Sequence, residues 1–406
     1  MRALGYDPGM EAEETRGRRR VAPVVALLWT MGLSAQTTWT VDRLGRPGTD
    51  FLDLQPAVDA AASGDVIRIR AAGAPTFGAL SYNAPIIDGK SLTVLGEGSA
   101  STWMRGNFQV RNLQPGQLVR LADFVVWEFH FSPIAAGMRL ENNRGTVILE
   151  RLQLELKFTN PGAGIYDCSL VVLSDVHVVA QPSGLAAIRS EVVLQNCYYE
   201  TRDTNNIRDA PFGAVDSRVW MHHTTILGGD LAVANEATNA TFASGSEIFL
   251  GPGTFLRGGI GQVGRMAALR ASLTQDGRYV DVHLDPGVTW LGTLEGDIDD
   301  GPVTSLRQST TASTLTLDHS CTPSALVLLT AGPLLATPWS LAEGLLAIQP
   351  VPDFVCTAFA PASGLLQWNF PLPPGLPASF VLGMQGAELR TDGSVRITDV
   401  SMVTGR

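Results

Sequence analysis

A strand-sized pattern recurs along the middle of this 406-residue chain and constrains its fold more than any other feature. Five eight-residue segments each begin with valine and carry leucine or methionine at the third position. Their starting points are 28, 24, 21 and 27 residues apart, a period typical of solenoids, in which successive coils stack. The segments span residues 119–126, 147–154, 171–178, 192–199 and 219–226.

Each position in these segments predicts a column of stacked side chains. Because side chains alternate along a strand, the first and third positions point to the same side, the interior. The fifth position is a bend between two strands, since Asp, Asn and His tolerate left-handed backbone. The bend column is Asp123, Arg151, Asp175, Asn196 and His223. A second interior column follows it, formed by Val126, Leu154, Val178, Tyr199 and Ile226.

Each unit also has an upstream strand, which gives two or three short strands per coil. The sequence therefore predicts an all-β parallel β-helix; an antiparallel sandwich would favour two-residue hairpin turns, which are scarce here. Residues 53–62 form a short amphipathic segment with Leu54 and Val58 on one face, and we expect it to cap the first coil. The upstream strands begin at residues 137, 163, 186, 213 and 231.

The segment 50–61 (DFLDLQPAVDAA), followed by Ser63, Gly64 and Asp65, resembles the entry motif of the pectate-lyase-like right-handed β-helix superfamily. The resemblance covers about residues 40–300 and implies a right-handed coil. It leaves the activity open, because that superfamily includes lyases, hydrolases, epimerases, phage tailspikes and proteins of unknown role.

The C-terminal part has a different pattern. Regular coils fade after residue 250, and residues 295–301 form an acidic, glycine-rich stretch that we interpret as a linker. Short strands separated by Pro and Gly predict a small β-sandwich-like domain over residues 301–406, after a β-helix over 37–300. The domain resembles C-terminal modules of secreted planctomycete-type bacterial proteins, which suggests surface attachment or sorting.

The N-terminus predicts export. Three arginines, at 18–20, precede an apolar run over 21–33 and then Ser34 and Ala35, the pattern of a secretory signal. A buried helix is the alternative. We therefore expect residues 1–36 to be a signal and N-terminal extension, the protein to be secreted or at the cell surface, and the mature chain to have no transmembrane span.

Charge limits the partners. The chain carries a net charge of −10, and the part after residue 36 has 24 basic and 35 acidic residues. Because such a body repels phosphate, we expect no nucleic-acid partner; a polysaccharide or cell-envelope glycan is compatible, although an anionic one would need a local arginine patch or bound calcium.

The four cysteines fit an oxidising compartment. Cys321 and Cys356 fall in one C-terminal segment and are the predicted disulfide pair. Cys168 and Cys197 lie in the repeat at positions that do not stack, so we expect both to be free and Cys197 to be in the core.

Three other motifs could bind ions or cofactors. Glu295, Asp297, Asp299 and Asp300 predict either a calcium site or a solvated linker; no other cofactor is expected. The glycine motif at 259–264 lacks the βαβ setting of a nucleotide site and predicts a turn. Two adjacent histidines, at 222 and 223, point opposite ways on a strand, so we expect His223 in the bend and His222 to be exposed.

The candidate ligand-binding face is an outward ladder on the upstream strands: Glu141, Tyr166, Arg189 and Asp216. We expect an ion pair between Asp216 and Arg189, with Tyr166 stacked on the guanidinium, and a polar segment at 200–209 as a wall. An ordinary charged ladder is the alternative.

Catalysis has less support in the sequence. A glycoside hydrolase needs two carboxyl groups roughly 5–10 Å apart, whereas Glu141 and Asp216 are three coils, or ~14 Å, apart. A lyase would need calcium-binding acids on neighbouring coils and an Arg or Lys base, and the outward columns do not contain such a cluster. The hypothesis is a non-catalytic surface or glycan-binding scaffold; the alternative is a lyase or hydrolase acting on an acidic polysaccharide.

Overall fold

The computed structural model places most of the chain after residue 35. It describes residues 36–72, 81–127, 137–159, 163–182, 184–201, 212–228, 241–257, 269–271, 281–285, 288–291, 297–300, 303, 305–310, 313–341, 344–348, 354–372 and 375–405. The predicted export signal, the glycine motif at 259–264, Glu295 and most of the 200–209 segment lie outside these residues. Among the described residues, no helix has the length and apolar character needed to cross a bilayer.

Three parallel β-sheets wind into a solenoid, in which each coil contributes a strand to each sheet in turn. Sheet 1 consists of Thr38–Val41, Val66–Ile69, Leu92–Gly96, Leu118–Ala122, Thr146–Glu150, Leu170–Ser174, Glu191–Gln195, Arg218–His222, Glu247–Leu250, Asp281–Leu284 and Asp297–Asp300. Sheet 2 consists of Ile86–Asp88, Phe108–Arg111, Met138–Glu141, Ala163–Tyr166, Leu185–Ile188, Phe212–Val215, Thr241–Ser244 and Leu269–Ala271. Sheet 3 consists of Tyr82–Asn83, Trp103–Arg105, Val125–Trp127, Gln153–Thr159, His177–Pro182, Tyr198–Thr201, Thr225–Leu227, Phe255–Arg257 and Thr289–Leu291.

The predicted interior columns are confirmed. Val147 pairs in register with Val171, and Val171 with Val192, so the three valines stack on successive coils. All three are fully buried, and they belong to one apolar cluster that runs through the solenoid. Removing a leucine-sized side chain from water contributes about 1.5–3 kcal/mol, so the continuous interior is the main source of stability.

The predicted bend column is also confirmed, because all five residues have left-handed backbone. Their φ angles are 65° at Asp123, 48° at Arg151, 54° at Asp175, 54° at Asn196 and 49° at His223. This column follows sheet 1. A second left-handed column follows sheet 2, and we call it the sheet 2 bend: Gly89, Asn112, Asn142, Asp167, Arg189, Asp216 and Gly245.

One short helix, Leu54–Ala60, lies near the start of the solenoid. Asp53 is its N-cap and accepts a hydrogen bond from the backbone N–H of Leu54, while Leu54, Ala57 and Val58 are buried. The helix contacts the first strand of each of the three solenoid sheets. Its role as a cap stays a prediction.

The C-terminal part consists of antiparallel sheets, which begin at Ser305. One sheet has the strands Ser305–Thr310, Thr314–Ser320 and Leu365–Pro371. A second has Phe354–Phe359, Leu326–Gly332, Val381–Leu389 and Val395–Thr404, in that spatial order, and a hairpin joins Leu334–Leu341 to Gly344–Ile348. The linker interpretation of 295–301 is wrong, because Asp297–Asp300 pairs in parallel with Asp281–Leu284 as a further strand of sheet 1.

The C-terminal sheets pack on the outward face of sheet 1 and share an apolar cluster with it. Val193 and Trp220 contribute from the solenoid, and Val400 and Met402 from the last strand. The outward side of sheet 1 is therefore largely apolar where a solvent-facing sheet would be polar. The two parts of the chain are joined by a buried interface.

A buried ion pair within sheet 1 lies at this interface, and its arginine also donates hydrogen bonds to the C-terminal part. Arg120 is fully buried, and its Nη2 donates to Glu150 Oε2 at 2.8 Å. Its Nη1 donates to the backbone carbonyls of Ala378 at 2.5 Å and Gly405 at 2.8 Å, both in the C-terminal part. Gln195 adds a hydrogen bond to the carbonyl of Val400 at 3.2 Å. Because polar groups here have partners in the other part, the interface fixes one orientation.

His222 corrects one prediction. It pairs in register with Gln195 and is buried, with only 1% of its surface exposed, because its outward side lies in the covered part of sheet 1. His223 occupies the bend as expected. Burial, with a smaller contribution from Arg307, lowers the pKa of His223 to about 4.

All four cysteines are free, so the predicted pair of Cys321 and Cys356 is wrong. The two thiols pack in different places: Cys321 with Val327 in one small cluster, and Cys356 against the larger core of the C-terminal sheets. Cys168 and Cys197 are free and buried, as expected. Burial raises the pKa of Cys197 to about 12.

Candidate functional site

The structure divides the predicted ladder between two columns. Glu141 pairs in register with Tyr166, and both end their strands of sheet 2. The next residues in that column are Ile188 and Val215, not Arg189 and Asp216. Arg189 and Asp216 come one position later, in the sheet 2 bend.

The predicted single ladder is therefore wrong for Arg189 and Asp216, each of which lies one position beyond the column that contains Glu141 and Tyr166. The physical reason is that each strand ends before its left-handed residue, and bend residues form a column of their own. Asn142 and Asp167 are the bend residues that follow Glu141 and Tyr166.

Arg189 and Tyr166 therefore have other partners than predicted. Arg189 makes a bidentate ion pair with Asp167, at 2.6 and 2.7 Å. The carboxylate of Asp167 raises the pKa of Arg189, and the charge of Asp216 adds to the effect. Tyr166 lies under the guanidinium of Arg139, 5.4 Å from the ring centroid, and Arg139 pairs with Glu141 at 2.7 Å.

A shallow polar groove opens where the sheet 2 bend leads into the strands of sheet 1. We call it the bend groove; its volume is about 570 Å³. It brings together Arg189 and Asp216 from the predicted set, while Glu141 and Tyr166 do not line it. Its lining residues are Arg144, Asp167, Cys168, Ser169, Arg189, Ser190, Glu191, Asp216 and Arg218.

The first outward column of sheet 1 continues the charge pattern. Glu191, Arg218 and Glu247 are in register on successive coils. Arg218 donates to Glu247 at 2.5 Å, and His283 lies 3.1 Å from the other oxygen of Glu247. The guanidinium of Arg218 also lies 5.4 Å from the ring centroid of Trp220.

Two carboxylates of this region have lowered pKa values. The hydrogen bonds from Arg189 hold the pKa of Asp167 below its usual range. Burial acts to raise the pKa of Glu247, but the hydrogen bond from His283 and the charge of Arg218 outweigh it, so the net shift is downward. Both side chains are therefore anions at neutral pH, acceptors and not proton donors.

Sequence reasoning missed Arg144, Asp167 and Arg218. Asp167 carried a signal, because an aspartate directly after an upstream strand is a bend former. Arg144 and Arg218 had no such sequence signal. Arg144 reaches the groove from the loop after a bend, and Arg218 reaches it from the first position of a later strand.

The predicted calcium residues lie on the last strand of sheet 1, where Asp297 is opposite Asp281 and Asp299 is opposite His283. The placement of the side chains of Asp297, Asp299 and Asp300 lies outside the described part. Within the part of the chain that is described, no group of three or more His, Cys, Asp or Glu side chains could hold a metal ion.

Comparison with known proteins gives no assignment. The chain matches no protein-family model, and it matches no curated protein.

Proposed function

We propose that this protein is an exported, non-catalytic β-helix that binds an acidic glycan in the bend groove at a cell surface. The observation that carries the proposal is the groove itself, which presents three arginines beside carboxylates and serine hydroxyls. Carboxylates and hydroxyls of the protein suit the hydroxyl groups of a sugar, and guanidinium groups suit its carboxylates.

Arg144 is the groove arginine best placed to bind an anionic ligand. It is exposed, and within the described residues its guanidinium forms no ion pair. Arg189 and Arg218 are held by Asp167 and Glu247, which fixes their positions. A uronic-acid unit would pair with Arg144 and meet a preorganised set of polar groups around it.

The lowered pKa of Asp167 supports a non-catalytic role. A glycosidase needs a general acid with a raised pKa, and arginine partners act in the opposite direction on Asp167. A lyase or hydrolase acting on an acidic polysaccharide is the alternative, and the experiment below separates the two.

The proposed family is the pectate-lyase-like β-helix superfamily. The entry motif at 50–61 supports a right-handed coil of the pectate-lyase-like superfamily, and the N-terminal pattern supports export. The docked C-terminal sheets suggest that the planctomycete-type module is part of the structural body and attaches the whole protein to the surface.

The test is binding to a panel of neutral and uronic-acid polysaccharides, measured by affinity electrophoresis and calorimetry. We expect binding to a uronic-acid chain, weakened about tenfold by Arg144→Gln or Arg189→Gln, the effect of losing one charge-assisted hydrogen bond. Arg111→Gln is the matched control, since Arg111 pairs with Asp88 at 2.9 Å but does not line the groove.

If Arg144→Gln, Arg189→Gln and the wild type bound equally well, the bend groove would not be the binding site. Release of reducing ends or unsaturated products, abolished by Asp216→Ala, would replace the binding role with a catalytic one.

A further inference from the structure

An exposed apolar surface lies on the C-terminal part, away from the bend groove. Phe359 is 74% exposed, Leu389 41% and Val395 43%. These three side chains are in register across the four-stranded sheet, with Leu326 between Phe359 and Leu389. Residues directly opposite each other in antiparallel strands point to the same side, so the four form one row.

The next row on the same face is also largely apolar. Leu328 is in register with Thr357 and Ala387, and Ala387 with Ile397. We call the two rows together the apolar patch: Phe359, Leu326, Leu389, Val395, Thr357, Leu328, Ala387 and Ile397. Clustered exposed apolar side chains mark interaction sites more often than scattered ones.

The patch continues a face that already packs against a β-sheet. Along one strand, Gly383 and Gln385 are on the same side as Ala387 and Leu389, by alternation. Gly383 is opposite Met402 and Gln385 is opposite Val400, and those two residues pack on sheet 1 of the solenoid. One half of this sheet face therefore packs on the solenoid, and the other half is exposed or partly exposed.

The patch itself carries no charge, since none of its eight residues is ionisable. The ion pair of Glu388 and Arg390, at 2.7 Å, is not part of it, because Glu388 is fully buried and by alternation points to the side opposite Leu389. The whole chain is strongly acidic, so most of its surface repels a second copy. The uncharged patch does not.

We propose that the apolar patch is the contact of a two-fold dimer, with the patch of a second copy of this chain as its occupant. A flat aliphatic face packs on another such face as in a β-sandwich, and a two-fold contact uses the same patch on both subunits. The patch is small, so the dimer is weak and its population depends on concentration.

The test is sedimentation equilibrium of the purified full-length chain over a range of concentrations. The weight-average mass rises from the monomer value of 43.2 kDa toward twice that value and levels off there. Leu389→Glu keeps the protein monomeric, because each subunit would bring a carboxylate into an apolar contact. Phe359→Ser is a milder second variant, which shifts the association to higher concentration.

Leu52→Glu is the matched control. Leu52 is 61% exposed, comparable to the patch residues, but lies near the start of the solenoid. Its variant dimerises like the wild type. The proposal is overturned by a wild type that stays at 43.2 kDa, by a folded Leu389→Glu or Phe359→Ser that associates like the wild type, or by a mass that grows past the dimer.

Discussion

Replacing Arg120 by methionine removes the cation of a buried ion pair in sheet 1, at the interface with the C-terminal sheets. In the wild type, Arg120 donates to Glu150 at 2.8 and 3.1 Å and to the carbonyls of Ala378 and Gly405. After the change, Glu150 keeps only longer contacts, to Arg151 at 3.4 Å and Thr404 at 3.2 Å. Its carboxylate remains buried without its main partner.

The expected cost follows from this geometry. Breaking a buried ion pair by removing one partner costs about 3–5 kcal/mol, because the other charge stays in a poorly hydrated site. The two carbonyls that lose their donor contribute to that figure. We therefore expect Arg120→Met to lower the free energy of unfolding by about 4 kcal/mol.

Urea unfolding, followed by tryptophan fluorescence and by limited proteolysis of the C-terminal part, measures the effect. The double variant Arg120→Met/Glu150→Leu regains most of the loss, since no charge is left buried. If the free energy of unfolding of Arg120→Met were within about 0.5 kcal/mol of the wild-type value, the range of an ordinary surface change, Arg120 would not be buried in a stable interface.

Three further results are expected. Leu173→Asp, which places an unpaired carboxylate among fully buried stacked side chains, should prevent folding or lower the thermal midpoint severely, and a wild-type melt would contradict the interior column. Asn196→Val should cost about 1–2 kcal/mol more than Asn196→Gly in urea unfolding, because its φ of 54° disfavours a β-branched residue; equal stabilities would contradict the bend. Burial lowers the pKa of His319 to about 4, below the usual ~6.5, so its contribution to stability is complete above about pH 6.5 and is lost as the pH falls toward 4. His319→Leu should therefore flatten the dependence of the melting temperature on pH in that window, and an unchanged slope would count against a buried neutral imidazole.

The interior columns could be predicted from sequence because period-two alternation and a repeat of 21 to 28 residues act together. Val171 and Val192 each stack where the pattern put them. The bends after sheet 1 were equally visible, since Asp175 and Asn196 are residue types that accept left-handed backbone.

The candidate site was only half predictable. Arg189 and Asp216 are both bend residues, but strand alternation alone does not mark where each strand ends, so the predicted ladder is one position off at both. The burial of His222 was hidden, because it results from docking of a distant segment and leaves no local pattern. The acidic run at 297–300 resembles a linker in sequence because its charge is untypical of a strand, although it pairs in register with sheet 1.

Successive coils stack in register, and distances between spin labels test this stacking most directly. Ile86, Ala186 and Gly213 share one outward column of sheet 2, through Gln109, Arg139 and Gly164. Cysteines at 86 and 186, four coils apart, should give labels about 19 Å apart, and those at 86 and 213 about 24 Å, an increase of one coil spacing. Equal or decreasing distances would contradict the solenoid.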